Sequence, residues 1–346
     1  MFCYKCRRKN LLVKISFYGL IILEVLKRSL AMIKIFRTNE NSKLIQLGIN
    51  EAVSGSWFNL IKPTDEEINK VSLILGLDED FLRNSLDLDE RSRIEIDNGN
   101  VLVITNVPIM TEDGNFDTLP LGIVLTPTCL ITVCSRENNI ISSFNKETSH
   151  FFNTNNRTEF MLKILYRSAK FYLKYLGMIN RATDVVEEEL KKTTNNKALF
   201  QLIEVQRTLV YFSTALKDND LVLQKILRIT KQATPLIRTT EDDDDLLEDA
   251  IIENKQAIEM VEMHRTILES MMDGFASIIN NNLNLVIKFL TATTIILSIP
   301  TMIGGLWGMN VPVPFGHNPY GFLIIILMSI LVAILTVIFF RRKGMF

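Results

Sequence analysis

The sequence lacks the short motifs that mark nucleotide-driven pumps and the common hydrolases. No glycine is followed by lysine anywhere in the 346 residues, so a Walker A phosphate-binding loop is absent. The chain also has no G-x-G-x-x-G, H-E-x-x-H or G-x-S-x-G pattern. Its three histidines, His150, His264 and His317, lie far apart in the sequence. These absences predict a protein that is not an enzyme and that uses no organic cofactor.

The chain also has few cysteines and a small net charge. The four cysteines, at positions 3, 6, 129 and 134, do not resemble a disulfide framework. Cys3 and Cys6 have half of a zinc-knuckle spacing, but no second Cys/His pair follows at a suitable distance, so reduced cytosolic thiols are the better interpretation. The formal net charge is −1, which gives no broad basic field for binding a nucleic acid.

Two long apolar runs lie near the C-terminus. Residues 321–340 contain no charge, and at about 1.5 Å per residue they reach about 30 Å, the thickness of the hydrocarbon core of a bilayer. Residues 285–307 are longer and carry one charge, Lys288. Both runs are predicted transmembrane helices, so the lipid bilayer is a predicted partner of the chain.

The charges beside these runs predict their orientation. Arg341, Arg342 and Lys343 follow the second run directly, whereas residues 308–320 contain no Lys, Arg, Asp or Glu. By the positive-inside rule the C-terminus is cytoplasmic and the connecting loop is external. With two spans, the large N-terminal domain is cytoplasmic as well, and the predicted location is the plasma or inner membrane.

The first 31 residues leave several alternatives open. Residues 11–26 are apolar but interrupted by Lys14 and Glu24. A signal-peptide core, a third span and an interfacial helix all fit this pattern. Export of the following domain would put the basic tail outside, against the charge rule. We therefore expect the folded domain to start at Met32, after an N-terminal extension (1–31) of uncertain status.

The following part of the chain divides into a strand-rich and a helix-rich segment. Residues 32–150 show strand patterns, a helix that opens after Pro63, and a hairpin signal at Asn98-Gly99. Residues 151–240 repeat apolar side chains at three- and four-residue steps, which predicts a hairpin of two antiparallel helices. The predicted fold class is therefore α+β, an α/β sandwich with long helices in the cytosol.

A third helical pattern begins near Glu241 and meets no proline until Pro300. Residues 241–284 are predicted to form a cytosolic stalk that continues without a break into the first transmembrane helix, 285–307. The remaining segments are an external loop, a second transmembrane helix and a basic cytosolic tail at 308–320, 321–340 and 341–346.

Polar and small residues of the first span recur on one helical face. They follow one another at steps of seven, three, four, three and four: Asn284, Thr291, Thr294, Ser298, Thr301 and Gly305. The second span has only Ser329 and Thr336 and is predicted to face lipid. Two helices cannot enclose a channel, so conduction requires several copies whose first spans line a pore. The alternative, that small residues ease helix packing, stays open.

Residues 300–310 read Pro-Thr-Met-Ile-Gly-Gly-Leu-Trp-Gly-Met-Asn and precede the second span and the basic tail. This arrangement resembles the CorA-type magnesium channels, whose signature is Gly-Met-Asn after an aromatic residue, here Trp307. The resemblance covers the stalk and membrane part closely and the α/β domain more loosely. It implies a homopentamer with a funnel-shaped cytosolic domain.

The resemblance also implies an ion-capture site at the outer end of the first span. Asn310 would form the outer ring that captures hydrated Mg²⁺, with Gly308 and Met309 shaping its turn. Mg²⁺ gives up its waters reluctantly, so neutral oxygen ligands can hold the hydrated ion without trapping it.

Further positions of the first span match the pore of the family. Asn284 and Thr301 match polar pore positions, and Leu290 matches an apolar constriction. Ser298 stands where some members carry a larger apolar residue, so a second narrowing is not expected there. The loop 311–320 lacks the acids of some members, and cation attraction must rest mainly on Asn310 and backbone oxygens.

Members of the family bind regulatory Mg²⁺ between cytosolic domains through carboxylates, which keeps the pore shut. Asp249 and Asp273 match stalk positions with that role. The partner expected on the α/β domain falls at or near Asn84, which is not an acid. Three nearby residues are acidic alternatives: Asp87, Asp89 and Glu90. The acidic run 241–245 is a further candidate for divalent ions, although such runs are more often solvated turns.

The predicted function is passive Mg²⁺ influx driven by the membrane potential, with closure by cytosolic Mg²⁺ bound between subunits. A divalent cation that crosses inward gains about 4.6 kcal/mol per 100 mV, so no fuel molecule is required. Transport of Co²⁺, Ni²⁺ or Zn²⁺ is an alternative, but the polar stripe lacks the Cys and His that soft metals prefer. A membrane-tethered scaffold that conducts nothing is the alternative from another class.

Overall fold

The computed structural model describes residues 33–192, 196–231, 237, 239–309, 311, 313–314 and 319–344. The N-terminal extension, with Cys3 and Cys6, and Met32 lie outside these residues. The chain forms two compact units. Of the described residues, those within 33–189 and 196–268 form the first unit, and those within 190–192 and 269–344 form the second.

The first unit is built on a seven-stranded sheet with the spatial order β2-β1-β3-β7-β6-β5-β4. Strands β3 and β7 are parallel, and all other neighbours are antiparallel. In chain order, β1 to β7 are Ile33–Thr38, Leu44–Leu47, Trp57–Ile61, Arg93–Asp97, Asn100–Met110, Phe116–Leu125 and Leu130–Cys134.

Three short and four long helices accompany the sheet in the described part of the chain. In chain order, α1 to α7 are Asp65–Leu75, Asp80–Arg83, Asn139–Ser142, Arg157–Lys192, Asn196–Lys231, Glu241–Trp307 and Gly321–Arg342. Single 3-10 turns lie at Ile49–Glu51, Asn84–Leu86 and Ser149–Phe151. Helix α6 has 67 residues and contains Pro300, so the predicted continuity of stalk and first span is confirmed. Helix α7 extends two residues beyond the predicted span, through Arg341 and Arg342, whose charges suit a helix C-terminus.

Local sequence signals explain how the smaller elements begin and end. Thr64 caps α1 in a reciprocal box with Glu67, and Gly76 ends the helix in the left-handed conformation with φ 65°. Asn98 and Gly99 both have positive φ, 47° and 80°, as a two-residue hairpin turn requires. The predicted hairpin between β4 and β5 is confirmed.

The sheet is buried on both faces. Along β5, Val101 and Val103 belong to a core formed with α4, α5 and the start of α6. Leu102 and Ile104 point the other way and belong to a core with α1 and α2. The period of two along the strand therefore separates two hydrophobic layers. Among the described residues Cys129 and Cys134 are free and buried, and burial raises the pKa of Cys134 to about 11, which leaves little reactive thiolate.

Helices α4 and α5 pack antiparallel, as the sequence predicts. The rings of Tyr172 and Phe212 lie 5.0 Å apart in the middle of the pair. Nearer the tip, Val186 and Phe200 line the same cavity. The tip residues 193–195 lie outside the described part.

The side chain of Asn219 attaches α5 to the sheet. Its Nδ2 donates to the backbone oxygen of Asn106 at 2.7 Å, and its Oδ1 accepts from the Asn106 N–H at 3.0 Å. Ser92 and Thr105 donate to the same Oδ1 at 2.8 and 2.9 Å. A buried amide with these partners holds the helix at one position along the strand.

Polar contacts also attach the first part of α6 to α5. Asn254 Nδ2 donates to the Leu216 oxygen at 3.0 Å in the buried core. Lys217 and Ser213 donate to Glu262 at 2.6 and 3.0 Å, and they hold the pKa of that carboxyl below its usual value. The beginning of α6 is therefore part of the packed first unit.

The close approach of Gly122 to Ser85 generates a prediction about stability. A Cβ added at Gly122 would lie 1.8 Å from Ser85 Oγ and 2.5 Å from its Cβ. We expect Gly122→Ala to cost about 1–3 kcal/mol through overpacking and to lower the thermal unfolding midpoint of the detergent-solubilised protein, followed by near-UV circular dichroism. Adding Ser85→Gly removes both clashing atoms and should restore most of the loss.

Gly177 is the matched control for this prediction, because a Cβ there meets no atom within 4 Å and the residue lies inside α4. Gly177→Ala should be neutral or stabilising by about 0.5–1 kcal/mol. An unchanged midpoint in Gly122→Ala would contradict the packing described here.

Candidate functional site

Two of the described helices are long and apolar enough to cross a bilayer, α6 and α7. The second unit contains α7 and the part of α6 that begins at Glu269. The helix α7 carries no charge before Arg341 and Arg342 at its end, and its two hydroxyl residues are Ser329 and Thr336. The predicted ion pathway lies along these helices. Only residues on a face that the chain itself leaves exposed can line that pathway.

One face of α6 is covered within the chain. Its residues follow at steps of three or four and are buried or half-buried: Ala292, Ile296, Ile299, Ile303 and Trp307. Ala292 is fully buried. We call these five residues the covered face. On α7 the buried or half-buried residues include Gly321, Ser329, Ala333 and Thr336, so both hydroxyls of the second span point away from its exposed apolar surface.

The predicted pore positions of α6 lie on another side of the helix. We call the six residues of the stripe the polar face: Asn284, Thr291, Thr294, Ser298, Thr301 and Gly305. All six are exposed, and so is Leu290 at the edge of this face. At 100° per residue the centres of the polar and covered faces are about 150° apart. The structure therefore brings the predicted pore residues together on one surface that this chain leaves uncovered.

The hydroxyl groups of the polar face are oriented by the helix itself. Thr294 donates to the Leu290 oxygen at 2.8 Å, Ser298 to the Thr294 oxygen at 2.8 Å, and Thr301 to the Leu297 oxygen at 3.2 Å. Each hydroxyl group thus donates to the backbone oxygen of the residue four positions earlier. Its own oxygen keeps lone pairs that face outward and can accept hydrogen bonds. Such a surface can accept hydrogen bonds from water around a cation. The same bonds also reduce the cost of polar residues in a packed helix interface.

The end of α6 is fixed by two hydrogen bonds. The Gly308 N–H donates to the Gly304 oxygen at 3.0 Å, which continues the helical turn past Trp307. Trp307 Nε1 donates to the Pro314 oxygen at 2.9 Å and anchors the start of the loop. Met309 is exposed. The predicted ion-capture residue Asn310 lies outside the described residues.

The predicted regulatory residues are dispersed in a single chain. Asp249 and Asp273 are exposed on α6, and Asp87 and Asp89 are exposed beyond α2, while Asn84 is half-buried at the end of α2. No group of three or more His, Cys, Asp or Glu residues in the described part is arranged to hold a metal ion. Asp249 belongs to the first unit and Asp273 to the second.

Two of the acidic alternatives already have local roles. Asp87 Oδ1 accepts from the Asp89 N–H at 3.1 Å, which closes a turn. Glu90 forms an ion pair with Arg93. Glu90 is therefore less available for a metal than the exposed carboxylate of Asp89.

The acidic run 241–245 begins α6 and serves as its N-terminus. Asp243 is buried, and its Oδ2 accepts from both the backbone N–H and the hydroxyl of Thr240 at 2.9 Å. Carboxylates in a first helical turn are stabilised by the helix dipole. Asp243 therefore caps the N-terminus of α6. The spacing of the acids in the sequence did not predict this role.

Comparison with known proteins identifies the family of this chain. The profile described as "CorA-like Mg2+ transporter protein" matches residues 54–342. The cobalt/magnesium transport protein CorA of Methanocaldococcus jannaschii is 29% identical over 296 residues, which are 83% of this chain and 90% of that protein. The cobalt/magnesium transport protein CorA of Thermotoga maritima is 22% identical over 339 residues, 93% of this chain and 91% of that protein.

A solved structure confirms the predicted fold class. The complete structure of the CorA magnesium transporter from Methanocaldococcus jannaschii matches with a TM-score of 0.78 and 26% identity, and covers 91% of this chain and 99% of that one. The α+β domain, the long helices and the two C-terminal apolar helices are common to both. The chain therefore belongs to the CorA-like Mg²⁺ transporter family, and it is a membrane transporter of divalent cations and not an enzyme.

Proposed function

We propose that this chain forms a magnesium channel in which several copies, as a homopentamer, place the polar faces of their first spans around a central pore. The observation that carries the proposal is the exposure of the polar face of α6, about 150° from the covered face. Two helices cannot enclose a channel, and six polar or small residues facing lipid would be unfavourable. If several copies assemble around a water-filled pore, the channel is enclosed and the polar faces no longer contact lipid.

The chemistry of the polar face suits a hydrated cation. Thr294, Ser298 and Thr301 present oxygen acceptors, since their protons are used inside the helix. Mg²⁺ retains its water shell more strongly than most cations, and the waters donate hydrogen bonds to such oxygens. A ring of Asn310 carboxamides, with Gly308 and Met309 in its turn, would capture the ion at the outer mouth.

Mg²⁺ enters the cytosol down the membrane potential in this proposal. Arg341, Arg342 and Lys343 follow the second span, which supports a cytoplasmic C-terminus and an external loop. A divalent cation gains about 4.6 kcal/mol per 100 mV, which drives influx without a fuel molecule. Passive influx requires a means of closure. Regulatory Mg²⁺ held between subunits by Asp249 and Asp273 would supply it, with Asp87 or Asp89 as partners in place of Asn84.

Co²⁺ is a second candidate ion. The relatives from Methanocaldococcus jannaschii and Thermotoga maritima are both named cobalt/magnesium transport proteins. Ions of similar size that keep their water shell would meet the same oxygen surface. The polar face lacks Cys and His, which disfavours a mechanism that strips and ligates Zn²⁺.

Substitution of Asn310 tests the ion-capture site. We expect Asn310→Ala to lower Mg²⁺ uptake into liposomes that contain the purified protein by about tenfold or more, because a capture ring is lost. Asn282→Ala is the matched control, since Asn282 is exposed on another side of α6 and its loss should leave uptake near the wild-type rate. A wild-type protein without uptake would favour the scaffold alternative.

Thiol labelling tests which side of α6 is in contact with water. In a background with Cys3 and Cys6 replaced by serine, Ser298→Cys should react with a membrane-impermeant charged thiol reagent, and the reaction should block uptake. Ile299→Cys on the covered face should remain unmodified. The reverse pattern, with Ile299→Cys labelled and Ser298→Cys protected, would remove the basis for the pore.

Internal Mg²⁺ tests the proposed closure. Asp249→Ala and Asp273→Ala should each raise the internal Mg²⁺ concentration that halves uptake, because a carboxylate ligand of a hard cation is lost. Glu259→Ala is the control, being an exposed acid on α6 outside the acidic run 241–245. If both stalk variants still close at the wild-type concentration, the sensor assignment is wrong.

A further inference from the structure

Two adjoining cavities lie in the first unit, and neither has a role in the proposed pore. The larger has a volume of about 1090 Å³ and the smaller about 340 Å³. They share four lining residues: Asn115, Phe116, Glu204 and Thr208. Thr208 Oγ1 donates to the Phe116 oxygen at 3.2 Å, so α5 is bonded to the start of β6 where the cavities meet. One extended ligand can therefore occupy both cavities.

The larger cavity carries an excess of negative charge. Five carboxylates line it: Glu112, Asp113, Asp117, Glu137 and Glu204. Three cations line the same cavity: Lys62, Arg136 and Arg207. Arg207 contacts Glu204 at a distance of 3.7 Å, and this pair leaves four carboxylates against two cations. Glu112 and Asp113 are exposed on the β5–β6 hairpin, and neither forms an ion pair with another described residue, so the cavity suits a cationic ligand.

The smaller cavity has mainly apolar walls. Helices α4 and α5 supply its aliphatic side chains: Ile179, Ala182, Val186 and Val205. Two aromatic rings, those of Phe116 and Phe200, also line it. Phe200 is 67% exposed, which is unfavourable for a large apolar side chain. Burial of this ring under further apolar side chains would contribute to binding, so an apolar ligand suits the smaller cavity.

The first strand begins at the edge of the sheet where the larger cavity opens. Ile33 is the first residue of β1 and is in register with the residue before Ile61, where β3 ends. Ile61 is in register with Cys134 at the end of β7, and the residues after these two ends, Lys62 and Ser135, line the larger cavity. Ser135 Oγ is buried there without a hydrogen-bond partner among the described residues. The chain that precedes Ile33 therefore joins the first unit beside this cavity.

The distances allow this preceding chain to reach both cavities. Leu121 on β6 is in register with Cys134, and β6 begins five residues earlier at Phe116, so the β5–β6 hairpin projects about 17 Å beyond the end of β7. Three strand spacings, about 14 Å in total, separate β1 from β6. Together these give a path of about 22 Å from Ile33 to Phe116. Seven extended residues span about 24 Å, so residue 26 can reach the boundary of the two cavities.

The composition of the N-terminal extension matches the two cavities in the same order. Seven of residues 1–31 are Lys or Arg, and Glu24 is their only acid. Lys27 and Arg28 are the cations nearest to β1, so they would meet the carboxylates of the larger cavity first. Residues 20–26 come next and are apolar except for Glu24, which suits the smaller cavity.

We propose that residues 20–28 of the chain bind in the two cavities of its own first unit. Lys27 and Arg28 pair with Glu112 and Asp113 in the larger cavity, and the apolar side chains of 20–26 cover Phe200 in the smaller. This docking keeps the extension out of the bilayer, and it thereby decides among the alternatives that the sequence leaves open. It does not depend on the proposed pore.

Disulfide trapping in the full-length protein in liposomes tests this docking. In a background with Cys3 and Cys6 replaced by serine, Leu23→Cys and Phe200→Cys should form a disulfide within one chain under mild oxidation, because docking brings the two residues into contact. Mass spectrometry of the digested protein detects the bond. Leu221→Cys is the matched control for Phe200→Cys and should give no disulfide. Both residues are 67% exposed on α5, but they lie about 30 Å apart along the helix.

Charge reversal tests the basic pair. Lys27→Glu/Arg28→Glu should slow formation of the disulfide by about tenfold, since two ion pairs become two repulsive contacts. Adding Glu112→Lys/Asp113→Lys should restore the rate, because the same pairs then form with the charges exchanged.

Each component of the proposal has an outcome that overturns it. Arg7→Glu/Arg8→Glu makes the same charge change outside 20–28, and an equal slowing there would overturn the assignment of Lys27 and Arg28. Absence of the disulfide in a protein with a normal unfolding midpoint overturns the docking itself. A disulfide between two chains would assign the cavities to the extension of a second copy. An intact mass that lacks the extension would identify a cleaved leader and overturn the proposal as well.

Discussion

Five of the six residues of the polar face of α6 lie in the apolar run 285–307, and the lipid tails of a bilayer would offer their polar groups no hydrogen bonds. The helix satisfies part of this constraint by itself, because the hydroxyls of Thr294, Ser298 and Thr301 donate to carbonyls one turn earlier. The oxygen lone pairs of this face still need water or a neighbouring chain. The apolar residues of the covered face are buried or half-buried instead, so the helix has one side that packs and another that this chain leaves exposed.

The beginning of α6 is packed into the core of the first unit. Leu247, Ala250 and Ile251 belong to the same core as the strands of the sheet, and Asn254 bonds to α5. Asn219 in turn fixes α5 to β5 through the backbone of Asn106. A metal ion that bound to this unit would therefore act on packed elements with defined positions, which is the physical requirement for coupling to a distant part of a protein.

Much of the fold was predictable because its signals are local. The turn at Asn98-Gly99 needs two residues with positive φ, and the capping of α1 needs only Thr64 and Glu67. The continuity of α6 follows from the lack of proline before Pro300. The polar face was predictable too, because the helical period alone brings its residues to one side. The ion-capture and regulatory assignments remain predictions, since Asn310 lies outside the described residues and the described acids form no group of three that could hold a metal ion.

The sequence by itself determined the two apolar helices, the sheet-forming alternation and the grouping of polar residues on α6, because each depends on a repeat along one segment. Only the tertiary structure decided what lies across from those segments. In the tertiary structure Ala292 is buried, and Asp243 accepts a hydrogen bond that caps the start of α6. Lys62, Arg136 and Arg207 line the same cavity. Contacts of this kind join residues far apart in sequence, and their geometry depends on the packing of several elements at once.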